Sequence, residues 1–179
     1  MLQVTPESFQ SIPLFNGFTP SERQQVAEIA KVTKFQPGEV VVEQGARSQE
    51  LWVLLDGTCE VTRQVHASNG DQAPIVLATL EPYSAFGEMS FFHAAPHSAS
   101  VKAKSRVQLI CVDRARFDEL IRHEPTVAYK LALNVIHSLA ERMRRMDEWV
   151  EELIAEQNQG PEVPELARLR EKLFDSWQL

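Results

Sequence analysis

Cysteine and positive charge are both scarce in this sequence. Its 179 residues include two cysteines, Cys59 and Cys111, too few for the disulfide framework of a small secreted domain. Both fall in predicted strands, where we expect them to be small buried side chains. Lys and Arg number 18 against 25 Asp and Glu, which gives a net charge of −7. Because nucleic-acid backbones are bound by clustered positive charge, this balance argues against DNA or RNA as the main ligand.

Long apolar runs are absent as well. No segment approaches the roughly 20 consecutive apolar residues that a membrane-spanning helix needs. The N-terminus has no basic region followed by an apolar run, as a signal peptide would have. We therefore expect a cytoplasmic protein with no membrane segment. A hydrophobic content of 44% is enough for one globular domain with appendages.

Short predicted strands occupy the middle of the chain and follow a helical N-terminal region, residues 5–31. In that region Thr19-Pro20-Ser21-Glu22 is typical of a capping box with proline at the first helical position. Seven strands are predicted at residues 32–35, 40–43, 51–55, 58–65, 75–80, 98–103 and 107–112. Turn residues such as Asp56-Gly57 and Asn69-Gly70 separate them. This spacing predicts a roll, barrel or sandwich.

A single long helix is predicted at residues 125–158, where neither glycine nor a second proline follows Pro125. Its apolar residues are spaced alternately four and three apart, at Ala132, Ile136, Leu139, Met143, Met146, Val150 and Leu153. Such heptads predict a parallel homodimer through this seam. The alternative is a helix that lies on its own roll, which we expect for Leu131 and Val135.

Residues 86–101 read Phe-Gly-Glu-Met-Ser-Phe-Phe-His-Ala-Ala-Pro-His-Ser-Ala-Ser-Val, and we call them the cassette. Gly87 allows a sharp turn into a short helix, so the backbone N–H groups of Gly87, Glu88 and Met89 can bind an anion. The hydroxyl of Ser98 and the N–H of Ala99 can add neutral donors. The Glu88 carboxylate can accept a hydrogen bond from a ligand hydroxyl. The alternative is a roll corner whose helix caps itself.

The cassette resembles the phosphate-binding cassette of cyclic nucleotide-binding domains in the catabolite activator (Crp/Fnr-like) superfamily. Those cassettes run from Phe-Gly-Glu to Arg-Ser/Ala-Ala, and the resemblance extends over about residues 12–155. It implies an α+β fold, a β-roll of the double-stranded β-helix or jelly-roll type, flanked by N-terminal helices and a long C-terminal dimerisation helix. It implies cyclic AMP or another cyclic nucleotide as ligand, with Glu88 on the ribose, and no other cofactor.

Two departures from this family pattern affect the expected affinity. His97 stands at the arginine position, and histidine is mostly neutral at pH 7 with at most two donors. Arg142 and Met143 stand where the family has a Thr-Ser pair that contacts adenine. Arg142 either contacts the base or the phosphate, or is a solvated arginine. We expect weak binding that improves at acid pH, or else a degenerate pocket in a ligand-free dimeric scaffold.

The segment after the long helix is short. Residues 161–179 are too few for a winged helix-turn-helix, which needs about 50 residues or more, so we expect no direct DNA binding. An apolar stripe there predicts one more helix that contacts a protein partner, through Leu166, Leu169, Leu173, Phe174 and Trp177. The predicted parts are therefore a roll at residues 1–124, the dimerisation helix at 125–158 and this tail.

The main competing class is a metal-dependent enzyme, because small β-rolls also hold cupin-type metal sites. Candidate ligands are His66, His93, His97 and Glu88. A cupin site needs a His-x-His pair followed by a glutamate, and this sequence has no His-x-His. We therefore predict a regulatory protein with no catalytic residues and no metal site.

Overall fold

Eight antiparallel strands form the centre of the fold in this computed structural model, which describes residues 5–66 and 72–157. The strands are β1 Ala30–Phe35, β2 Val40–Val42, β3 Glu50–Asp56, β4 Cys59–His66, β5 Gln72–Leu80, β6 Ala85–Phe86, β7 Ser100–Ala103 and β8 Val107–Asp113. The helices of at least five residues are α1 Pro20–Ile29, α2 Glu88–Phe92, α3 Arg114–His123 and α4 Pro125–Gln157. The fold class predicted from the sequence is confirmed.

Two four-stranded sheets enclose the main core. One has the strand order β1-β8-β3-β6 and the other β2-β7-β4-β5. The core side chains are Val42, Trp52, Leu54, Cys59, Phe86, Val101, Ala103, Val107, Leu109 and Cys111. Strand β6, which the sequence analysis missed, pairs with β3 through Trp52↔Phe86 and Val53↔Ala85. It positions the start of the cassette directly beside β3.

The N-terminal region is less helical than predicted. Two short 3₁₀ helices, Pro6–Phe9 and Pro13–Phe15, precede α1, and residues 30–31 already belong to β1. Prolines that begin each helix explain these breaks, because the residue before a proline disfavours the α conformation. The predicted capping box is present: Thr19 Oγ1 accepts from the Glu22 N–H at 3.2 Å, and Glu22 Oε2 accepts from the Thr19 N–H at 2.8 Å.

The chain divides into two compact units, one up to Val135 and one from Ile136 onward. In the first unit, hydrogen bonds join the beginning of α4 to the N-terminal region. Asn134 Nδ2 donates to the Leu14 carbonyl at 2.8 Å, and Lys130 Nζ donates to both carboxylate oxygens of Glu22 at 2.8 Å. Leu131 and Val135 are buried, as expected. None of the helices described is long and apolar enough to cross a membrane.

Candidate functional site

Gly87 makes the turn at the start of the cassette. It lies between β6 and α2, has a φ of 82° and is the N-cap of α2. A Cβ at this position would collide with the Glu50 carbonyl and approach Trp52 Cδ1 to 3.4 Å. Only glycine fits both the left-handed conformation and this close approach to β3. The turn leads directly to Glu88, which is 7% exposed.

Trp52 forms the wall behind this turn. Its ring stacks on Phe86 with centroids 6.4 Å apart and meets Phe35 edge-on at 6.0 Å. Trp52 is 5% exposed, and its buried Nε1 has no hydrogen-bond partner among the residues that the structure describes. Since Cδ1 is bonded to Nε1, the polar edge of the indole lies next to Gly87.

His97 lies at the other end of the cassette and is 5% exposed. Its backbone N–H donates to the Ala46 carbonyl, and its carbonyl accepts from the Gly45 N–H, both at 2.9 Å. Its Nε2 lies 2.9 Å from Ser48 Oγ. The β2–β3 loop therefore binds both the backbone and the imidazole of the residue at the family's arginine position.

The other predicted ligand residues of the cassette differ in their exposure. Met89 and Ser98 are exposed and Ala99 is half-buried, whereas Glu88 is buried. The fold thus leaves neutral donors accessible towards the end of the cassette and encloses the carboxylate near its beginning. The ligand contacts of these residues stay predictions.

Two side chains that the sequence analysis missed hold the far end of α2. Gln49 Nε2 donates to the carbonyls of Ser90 and Phe91 at 3.3 Å each. Arg114 Nη1 donates to the Phe91 carbonyl at 3.0 Å, and its Nε pairs with Asp118 Oδ1 at 2.8 Å. These bonds satisfy carbonyl groups that the short helix leaves open, and they link the cassette to α3 and to the loop residue before β3.

In the unit from Ile136 onward, the predicted seam of α4 carries exposed apolar side chains. Ile136, Met143 and Met146 are 58%, 56% and 57% exposed, and Leu139 and Val150 are half-buried. The side chain of Leu153 and the tail residues Leu166, Leu169, Leu173, Phe174 and Trp177 lie outside the description. Arg142 and Met143 belong to this unit and the cassette to the other, so their part in the site stays a prediction.

Within residues 5–66 and 72–157, no three His, Cys, Asp or Glu side chains are placed to hold a metal ion. Burial raises the pKa of the Cys111 thiol to about 12 and also raises the pKa of Cys59. Both thiols therefore remain protonated and unreactive at neutral pH.

Comparison with known proteins agrees with this fold and cassette. Residues 32–124 match the family described as the cyclic nucleotide-binding domain. The chain is 31% identical over 135 residues to the cyclic AMP receptor protein of Thermus thermophilus, covering 75% of this chain and 59% of that protein. It is 28% identical over 112 residues to the cAMP-dependent protein kinase regulatory subunit of Schizosaccharomyces pombe, covering 63% of this chain and 25% of that protein.

A solved structure extends the likeness in fold. The cyclic nucleotide-binding domain from Methylobacillus flagellatus superposes with a TM-score of 0.72 at 19% identity, over 88% of this chain and 83% of that one. The chain thus spans between a quarter and three fifths of the two relatives compared in sequence. It belongs to the cyclic nucleotide-binding domain family and is similar to the receptors and catabolite activators within it.

Proposed function

We propose that this chain is a regulatory module that binds a cyclic nucleotide, such as cyclic AMP, with weakened affinity and signals through a protein partner. The observation that carries the proposal is the cassette itself. Gly87 turns the chain against β3 directly before a buried glutamate, and Ser98 and Ala99 follow His97 at the other end. Family membership supplies the class of ligand.

In this proposal each cassette residue has one role. The N–H groups of residues 87–89, the Ser98 hydroxyl and the Ala99 N–H donate to the phosphate. Glu88 accepts from the ribose 2′-hydroxyl. His97 offers at most two donors in place of the planar five-donor fork of an arginine, which weakens the phosphate contact. Arg142 and Met143, in place of a polar pair, reduce discrimination between bases.

The module acts as a homodimer through α4. Three seam side chains are more than half exposed in the single chain, and a second α4 helix would bury them in heptad register. The domain organisation is then a roll at residues 1–124, a dimerisation helix at 125–158 and a tail at 161–179. The cassette and the helix can adopt two arrangements, and the ligand binds one of them more tightly than the other. The bound ligand therefore changes which arrangement is presented to the partner.

The remaining properties follow from the same account. The module is cytoplasmic, needs no cofactor, catalyses no reaction and does not itself bind DNA. The net charge of −7 supports the last point, since duplex DNA selects clustered positive charge.

One observation favours a second candidate function, a ligand-free dimeric scaffold. The Nε2 atom of His97 already has a hydrogen-bond partner in Ser48, and the imidazole is buried. If the pocket no longer binds phosphate, this hydrogen bond and the burial of the imidazole have no functional cost. In that case the exposed seam of α4 and the protein partner carry the whole function.

A calorimetric screen of the purified chain against cyclic AMP, cyclic GMP and cyclic dinucleotides separates the two candidates. The sensor proposal predicts saturable binding of at least one cyclic nucleotide. The scaffold predicts no heat of binding with any of them from a folded, dimeric protein.

A further inference from the structure

Three hydrogen bonds join the β2–β3 loop to His97. The Gly45 N–H donates to the His97 carbonyl, the His97 N–H donates to the Ala46 carbonyl, and Ser48 Oγ lies close to His97 Nε2, each at 2.9 Å. Arg47 lies between the second and third of these contacts. Its backbone is therefore held beside the position where the family has its phosphate-binding arginine.

The Arg47 side chain is exposed, and no hydrogen bond or ion pair joins it to the part of the chain that the structure describes. Some cations of the fold are paired, such as Arg114 with Asp118 and Lys130 with Glu22, whereas Arg106 is exposed like Arg47. Arg47 thus retains its charge and its donors for another partner.

We propose that Arg47 supplies the cation that the cassette lacks at position 97. The structure separates two functions that a single arginine would combine. His97 is buried against Ser48 and anchors the loop, and Arg47 on the same loop donates to the phosphate of the bound cyclic nucleotide. A guanidinium is permanently charged, and its long side chain and planar fork suit an anionic oxygen pair. This inference rests on the proposed function, because it presumes an anionic nucleotide in the cassette.

The test is calorimetry of the full chain with cyclic AMP. Arg47→Ala should lower the affinity at least tenfold, and Arg47→Lys should lose less because it keeps the charge. Arg106→Ala is the matched control, since Arg106 is another exposed arginine, on the turn between β7 and β8. It should bind like the wild type. Adenosine has no phosphate, so any binding of adenosine should be equal in the wild type and Arg47→Ala.

A second variant in the same experiment returns a cation to position 97 of the cassette. In the Arg47→Ala background, His97→Arg should restore most of the lost affinity, which a merely structural role of Arg47 would not predict. Equal cyclic AMP affinity of Arg47→Ala and the wild type, with both folded, overturns this inference alone. An equal loss in Arg106→Ala also overturns it, because the effect would then be general electrostatics. If the wild type binds no cyclic nucleotide, the proposed function fails and the inference with it.

Discussion

Ser48 Oγ lies 2.9 Å from His97 Nε2, across 49 residues of sequence. The imidazole at the family's arginine position therefore already has a hydrogen-bond partner within the same chain. A neutral imidazole has one donor and one acceptor nitrogen, so an Nε2 engaged by Ser48 has little capacity left for a phosphate. A phosphate contact through Nε2 must compete with this hydrogen bond.

Restoring arginine at this position should strengthen binding. His97→Arg gains a permanent charge and a bidentate fork, and we expect at least a tenfold higher affinity for cyclic AMP at pH 7.5, measured by calorimetry. Poor discrimination between adenine and guanine should remain, because Arg142 and Met143 are unchanged. If neither the wild type nor the folded, dimeric variant binds cyclic AMP, the pocket is vestigial and the scaffold function holds.

Introducing one charged side chain into the α4 seam tests whether the seam forms the dimer interface. Leu139→Glu would bury an unpaired carboxylate between two helices, which costs enough to dissociate the proposed dimer. Light scattering should then give half the wild-type mass. His137→Glu adds the same charge to the same helix outside the seam and should leave the mass unchanged. A dimeric Leu139→Glu variant would contradict the seam.

Tyr83 has a φ of 74° in the turn before β6, a conformation that non-glycine residues adopt at a cost. Tyr83→Gly removes this strain but adds freedom to the unfolded chain. We expect a net increase of about 1 kcal/mol in the free energy of unfolding. Tyr83→Phe keeps the strained backbone and should change little. Urea denaturation measures both, and a clear loss of stability in Tyr83→Gly would show that the tyrosine side chain contributes more than the strain costs.

The ion pair between Glu22 and Lys130 should make stability depend on acid pH. The hydrogen bond from Lys130 holds the pKa of Glu22 below its ordinary value of 4.5. The stabilisation is therefore present above pH 4.5 and is lost as the pH falls through the lower, folded-state pKa. Thermal unfolding of Glu22→Gln should show a loss of about 0.5–1 kcal/mol at pH 7 that disappears near pH 3. A constant difference at both pH values would contradict the ion-pair explanation.

Local sequence patterns predicted most of the fold. The capping box at Thr19 and Glu22 and the long helix from Pro125 both depend on neighbours within a few residues. Strand β6 was missed because two residues cannot display the alternation that identifies a strand.

The contacts that shape the candidate site could not be predicted in this way. Ser48 with His97, Gln49 with Phe91 and Arg114 with Phe91 are separated by 49, 42 and 23 residues. None of these side chains belongs to a spacing pattern that marks its partner. They are brought together by the pairing of β3 with β6 and β8, which is a property of the whole sheet.

The most direct test of the account is a thermodynamic cycle between Glu88 and the ribose of the ligand. Calorimetry would compare cyclic AMP with 2′-deoxy cyclic AMP on the wild type and on Glu88→Leu, which removes the acceptor at similar size. We predict that the wild type binds cyclic AMP about tenfold more tightly than the deoxy analogue, and that a folded Glu88→Leu binds both equally. Failure of the wild type to bind cyclic AMP, or full discrimination by the variant, would contradict the account.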